Sequence, residues 1–216
     1  MSANLQPPIA MAAPIPLPLR EPEGQGVRRA GLWVLMGVIA MLFFLFSCAY
    51  VMRMGVADWR PLPFVPWQLW CSSALLTAAG MAWQLAWRAS VLGRRHAAQA
   101  AAALAWTASA LFVGAQLWAW QAMQAQHFFV AANPANSFFY LITGLHGLHV
   151  LGGMAAATVT GARLLRGGSL ARARGALELC ARYWHFLLAL WVAMFALLFL
   201  VTPDTVQLVC SSLNLR

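Results

Sequence analysis

Residues 31–52 read GLWVLMGVIAMLFFLFSCAYVM, 22 positions without one charged side chain. As an α-helix this run spans about 33 Å at 1.5 Å per residue, enough to cross a hydrocarbon core of about 30 Å. Helix is the conformation to expect, because a lone segment in lipid must satisfy its own backbone hydrogen bonds. Trp33 and Tyr50 lie near the two ends, where amphipathic rings suit a membrane interface. Four more apolar runs follow, at residues 67–87, 97–123, 137–165 and 176–201. The expectation is an all-α integral membrane bundle of five transmembrane helices over residues 31–202.

Composition agrees with that reading. The chain has 216 residues, of which 62% are hydrophobic and 9% charged. Soluble domains carry about 25% charged residues, so a water-soluble globule is excluded, and so is disorder, which needs the opposite balance. Residues 1–30 are rich in proline and are expected to form a mobile cytoplasmic tail. They lack the order of basic start, apolar core and cleavage site that marks a signal peptide. Residues 203–216 are expected to be a short outer tail.

The formal net charge is +9, and all 14 basic residues are arginine. With the N-terminus inside, 11 arginines fall on inside segments: Arg20, Arg28, Arg29, Arg88, Arg94, Arg95, Arg163, Arg166, Arg172, Arg174 and Arg182. Only Arg53, Arg60 and Arg216 fall outside. That asymmetry favours an inside N-terminus and an outside C-terminus, and it accounts for the charge without nucleic acid. No internal repeat suggests a transporter built from inverted halves. Cys48, Cys71, Cys180 and Cys210 form no CxxC pair and no zinc spacing, so neither a disulfide nor a metal is inferred from them.

Ionisable groups in a spanning helix are costly and are therefore functional candidates. His146 and His149 lie three apart on the fourth run. Glu178, Arg182 and His185 share one face of the fifth. The histidines could ligate a metal or haem, or could bond between helices; HxxH with one distant histidine is a weak metal signal. Glu178 could relay protons or could pair locally with Arg182. There is no nucleophile–base pair, phosphate loop or dinucleotide fingerprint, so no chemistry of its own is expected.

The fourth and fifth runs carry a more specific signal. SFFYLITGLHGLHVLGG, residues 137–153, resembles the signature helix of haem-copper oxidase subunit III, with Thr143, Gly144, His146, Gly147 and His149 at the motif positions. Glu178 followed by Tyr183, Trp184, His185, Phe186 and Trp191 resembles the final helix of the same family. The Ser72–Ser73 pair, Gln116 with Trp120, and Gly31–Leu32–Trp33 with Phe43, Phe46 and Tyr50 agree with the short five-helix bacterial form.

The resemblance implies an accessory, non-catalytic subunit of a terminal oxidase in aerobic respiratory electron transport. Such a subunit packs on subunits I and II, holds structural phospholipid between its helices, and supports proton uptake and turnover. It binds no cofactor, since haem and copper sit in the partner subunits, and it lies in the bacterial inner membrane. Arg163 matches the family's lipid-binding arginine; its alternative role is a plain membrane anchor. Three intramembrane acids of the family pattern are replaced, by Ile39, Ala119 and Leu188. Those losses point to a divergent member, or to a same-fold accessory or assembly protein of a nitric oxide reductase. A small transporter is a more distant alternative.

Overall fold

The computed structural model describes residues 24–60, 66–130, 133–202 and 205. Five α-helices account for most of them: α1 (Gln25–Arg53), α2 (Trp67–Val91), α3 (Arg95–Ala125), α4 (Pro134–Leu165) and α5 (Leu170–Leu200). No strand occurs among the described residues. By length and composition α1, α3, α4 and α5 can each cross a membrane. At 25 residues, α2 is also long enough, at about 37 Å, but it is less apolar. It buries Gln68, Ser72 and Ser90 against its neighbours, so its polar groups need not face lipid.

The helices run past the apolar segments at both ends. α1 begins at Gln25, so residues 25–30 are helical rather than part of an extended tail. The last proline of the tail is Pro22, so no proline interrupts the helix from Gln25 onward. Residues 1–23 lie outside the described residues, as do most of the expected outer tail and Cys210. α5 likewise begins at Leu170, six residues before its apolar run.

Two turns owe their shape to glycine. α2 ends with Gly93 at φ 73° and α4 with Gly167 at φ 81°. The next residues close the helices: Arg94 N–H donates to Ala89 O at 2.9 Å, and Gly168 N–H to Arg163 O at 3.1 Å. Both are Schellman closures, which need the left-handed conformation that glycine adopts without strain. At the start of α4 the Asn133 side chain caps the Ala135 N–H, with Pro134 in the first turn.

α5 is central and contacts α1, α2 and α4; α3 lies between α2 and α4. α3 faces inward with Ala98, Ala102, Ala105, Ala108 and Ser109, small residues that let helices approach closely. α1 buries a single stripe, Met36, Ile39, Phe43 and Tyr50, and leaves most of its other apolar side chains outward. In water such a helix would expose a large apolar surface; in lipid it is simply solvated.

Arginine links the helix ends at one end of the bundle. Arg95 donates to Leu164 O at 3.3 Å and Gly168 O at 2.6 Å, and Gln99 donates to Leu164 O at 3.1 Å. Arg174 reaches Ser90 O and Val91 O, each at 3.4 Å. Leu164, Ser90 and Val91 lie in the last turns of α4 and α2, where the partial negative charge of the backbone favours a cation.

Candidate functional site: the tryptophan seam and the arginine-headed groove

The motif residues of α4 and α5 meet along a seam of hydrogen bonds between helices. Trp184 Nε1 donates to Ser109 Oγ of α3 at 2.8 Å, and Ser109 donates onward to Ala105 O at 2.7 Å. Trp191 Nε1 donates to Ser73 Oγ of α2 at 2.8 Å, and Ser73 donates in turn to Leu69 O at 2.7 Å. Trp120 Nε1 of α3 donates to Thr143 Oγ1 of α4 at 3.1 Å, and Thr143 donates to Phe139 O at 2.6 Å. The pattern repeats three times: an indole crosses the interface, and a hydroxyl accepts it while donating to its own helix. In all three, the indole N–H and the hydroxyl are thereby paired.

Glycine makes room for the seam. A Cβ on Gly153 would lie 2.6 Å from Tyr183 Cε1 and 3.3 Å from a Trp184 ring carbon. The Tyr183 hydroxyl donates to His149 O at 3.1 Å, fixing the ring over Gly153. A Cβ on Gly144 would lie 3.3 Å from the Trp120 ring. Gly147 has open space instead.

The three histidines go to three different surroundings. His146 is fully buried, with Phe43, Phe112 and Trp191 rings at 6.5, 5.8 and 5.2 Å. Its two ring nitrogens, like the Gln116 amide, have no partner among the described residues. His149 Nδ1–H donates to Leu145 O at 2.7 Å, and its ring faces a groove. His185 is exposed, and its Nδ1–H donates to Ala181 O at 2.6 Å. Among the described residues no three His, Cys, Asp or Glu side chains gather as a metal site.

Glu178 ties α1 to α5. One carboxylate oxygen accepts from Arg29 at 3.0 Å and the other from Arg182 at 2.6 Å. Ile39 and Ala119 are buried and Leu188 is half-buried, all packed in the core. Phe186 packs beside Tyr183, at a centroid distance of 6.4 Å.

Two adjoining cavities lie on the flank formed by α1, α4 and α5. The first, about 510 Å³, is an apolar groove between α1 and the α4–α5 pair, with Ile39, His149, Gly152 and Tyr183 among its walls. The second, about 580 Å³, lies at the arginine-rich end and is lined by Arg28, Arg163, Arg166 and Arg172. Arg28 lines both. The sequence singled out Arg163 alone. The other three look like ordinary loop and interface arginines until the helices bring them together.

An all-helical bundle with four helices long and apolar enough to cross a membrane, held by an indole–hydroxyl seam, marks a multi-pass membrane protein. The family model for cytochrome c oxidase subunit III matches residues 30–202. The chain belongs to that family. It is 30% identical over 159 residues to the cytochrome c oxidase subunit 3 of Struthio camelus, covering 71% of this chain and 59% of that protein. It is 33% identical over 72 residues to a probable cytochrome c oxidase subunit 3 of Mycobacterium leprae, covering 33% and 36%. It is 25% identical over 129 residues to the cytochrome bo(3) ubiquinol oxidase subunit 3 of Pseudomonas aeruginosa, covering 60% and 62%. The chain thus spans about three fifths or less of these relatives.

Proposed function

We propose that this protein is the accessory, non-catalytic third subunit of a haem-copper terminal oxidase. It packs on subunits I and II, which carry haem and copper, and it sits in a bacterial inner membrane with its N-terminus inside. The observation that carries this reading is the use of the signature residues: Thr143, Tyr183, Trp184 and Trp191 are all engaged in hydrogen bonds between helices. Their role is to hold a bundle in shape, and a shaped bundle is what an accessory subunit offers to a partner that does the chemistry.

The same reading assigns the groove to a phospholipid. The apolar trough suits an acyl chain and the arginine cluster suits a phosphate, since a guanidinium fork bonds two phosphate oxygens at once. Arg163 is the proposed headgroup ligand. Without the acids at Ile39, Ala119 and Leu188, any contribution to proton uptake runs through subunit contacts and lipid rather than through carboxylates at those positions.

The test is affinity purification from native membranes in mild detergent, followed by haem spectra and subunit identification. Co-purification with a haem-bearing subunit I and oxygen consumption is the expected result. Isolation with a nitric oxide reductase, or repeatedly without any haem protein, overturns the oxidase assignment. The lipid assignment is tested separately: Arg163→Ala is expected to lower the phospholipid retained per complex, and unchanged retention makes Arg163 a membrane anchor only.

A further inference from the structure

We propose that the cavity between α3 and α4 binds a neutral, membrane-soluble ring compound that carries a carbonyl oxygen, the chemistry of a quinone.

The cavity is separate from the arginine-headed groove. It measures about 320 Å³, with Trp83 from α2, Gln99 and Trp106 from α3, and Thr158 and Gly161 from α4 in its walls. Gly161 here and Gly152 in the groove are about two and a half turns apart, so they lie on opposite faces of α4. Trp106 is 41% exposed and sits well inside the apolar run of α3. The mouth therefore opens on lipid, and a guest enters from the membrane.

A buried donor sets the chemistry of the guest. Trp83 is 1% exposed, and its indole Nε1 has no acceptor among the described residues. Other polar groups of the wall are engaged. Trp106 Nε1 donates to Thr158 Oγ1 at 3.1 Å, Thr158 donates to Met154 O at 2.8 Å, and Gln99 Nε2 donates to Leu164 O at 3.1 Å. Trp184, whose ring lies 5.1 Å from that of Trp83, gives its own N–H to Ser109. An unanswered N–H is costly, most of all where lipid rather than water surrounds the protein. Its complement is a hydrogen-bond acceptor, and a carbonyl oxygen is the acceptor that a neutral lipophile brings.

The walls favour a flat, uncharged guest. Among the described lining residues none is ionisable, so a phosphate or carboxylate held there would lose its water and gain no counter-charge. Two indoles stand among alanine and glycine in the lining, and aromatic faces take a planar ring by stacking. A Cβ on Gly161 would meet nothing within 4 Å, so space is open beside the rings. The volume lies at the low end of the range of about 300–1,000 Å³ for small-ligand sites. That suits a headgroup ring whose tail stays in the bilayer. An acyl chain would fit the apolar walls but would leave the Trp83 N–H unanswered.

The experiment uses the chain purified in mild detergent with whatever subunits accompany it. A short-tailed azido-ubiquinone is photolysed on it, and labels are mapped by mass spectrometry on this chain's own peptides. Labelling is expected within residues 99–107 and 157–165, with protection by unlabelled short-chain ubiquinone. Trp83→Phe keeps a ring and removes the donor; the ubiquinone concentration for half-protection should rise about 2- to 12-fold, the worth of one hydrogen bond. Gly161→Leu fills the open space and should raise it about fivefold or more. Because that position is unobstructed, Gly161→Leu also carries the test if Trp83→Phe does not fold. Labelling confined to other peptides, or protection indifferent to Gly161→Leu, overturns the site. A photoreactive palmitate that labels the same two stretches and is not displaced by ubiquinone reassigns the cavity to an acyl chain and overturns the quinone chemistry.

Discussion

Gly153→Ala puts one methyl group into the tightest contact of the α4–α5 seam. The added Cβ would sit 2.6 Å from Tyr183 Cε1, 3.1 Å from Cδ1 and 3.3 Å from a Trp184 ring carbon. Carbon atoms pack at about 3.5–4.0 Å, so the Tyr183 ring must move by about 1 Å. It is not free to do so, because its hydroxyl is bonded to His149 O at 3.1 Å and Trp184 beside it is bonded to Ser109. Overpacking of this kind costs about 1–3 kcal/mol. Losing the Tyr183 bond adds about 0.5–1.5 kcal/mol. Replacing a mid-helix glycine by alanine returns up to about 1 kcal/mol. The net expectation is a loss of about 1–3 kcal/mol, or about 5- to 150-fold in the folding equilibrium, since 1.4 kcal/mol is tenfold.

The neighbouring Gly152→Ala is the control, because nothing lies within 4 Å of its Cβ. Thermal unfolding of the purified protein in one detergent, read by loss of the monodisperse species, compares the two. At about 2–4 °C per kcal/mol for a chain of this size, Gly153→Ala should unfold about 2–12 °C below wild type and Gly152→Ala close to it. Gly153→Ala/Tyr183→Leu should recover part of the loss. Equal midpoints for the two single alanine variants would refute the close-packed seam.

Ser73→Ala leaves the Trp191 indole N–H without its acceptor, and a buried unpaired donor costs about 1–3 kcal/mol. Trp191→Phe in the same background should add less than it does alone, a non-additivity that a double-mutant cycle measures. Glu178→Gln removes the charge shared by Arg29 and Arg182. Its midpoint should fall, and disulfide trapping between cysteines placed on α1 and α5 should slow. At the opposite end, the two hydrogen bonds from Arg53, at 2.7 and 2.6 Å, hold the Asp58 carboxyl below its ordinary range. The contribution of this pair is present above the unfolded pKa of about 3.9 and is lost as pH falls through the depressed folded value. Carbon NMR of a labelled Asp58 should report that lowered pKa, and Arg53→Gln should return it to the usual carboxylate value.

Much of this protein could be read from one strand of letters. Lipid imposes a blunt rule: an apolar run of about 20 residues without charge must be helical and must cross or lie within the membrane. Residues 31–52 obey it, and α1 follows from them. The motif residues were legible too, because tryptophan and histidine are conspicuous among alanine and leucine, although the sequence does not say what their polar atoms bond.

The tertiary structure decided the pairings. Ser73 and Trp191 are 118 residues apart, and Arg29 and Glu178 are 149 apart; no spacing rule connects them. Arg95 and Arg174 read as loop charges, yet they bind the carbonyl ends of α4 and α2. Arg28, Arg166 and Arg172 become a cluster with Arg163 only when α1, α4 and α5 meet. The physical reason is that membrane insertion depends on each segment's own composition, whereas packing depends on which small residues, rings and hydroxyls face one another across helices. The first is local information carried by the sequence, and the second exists only once the helices have met.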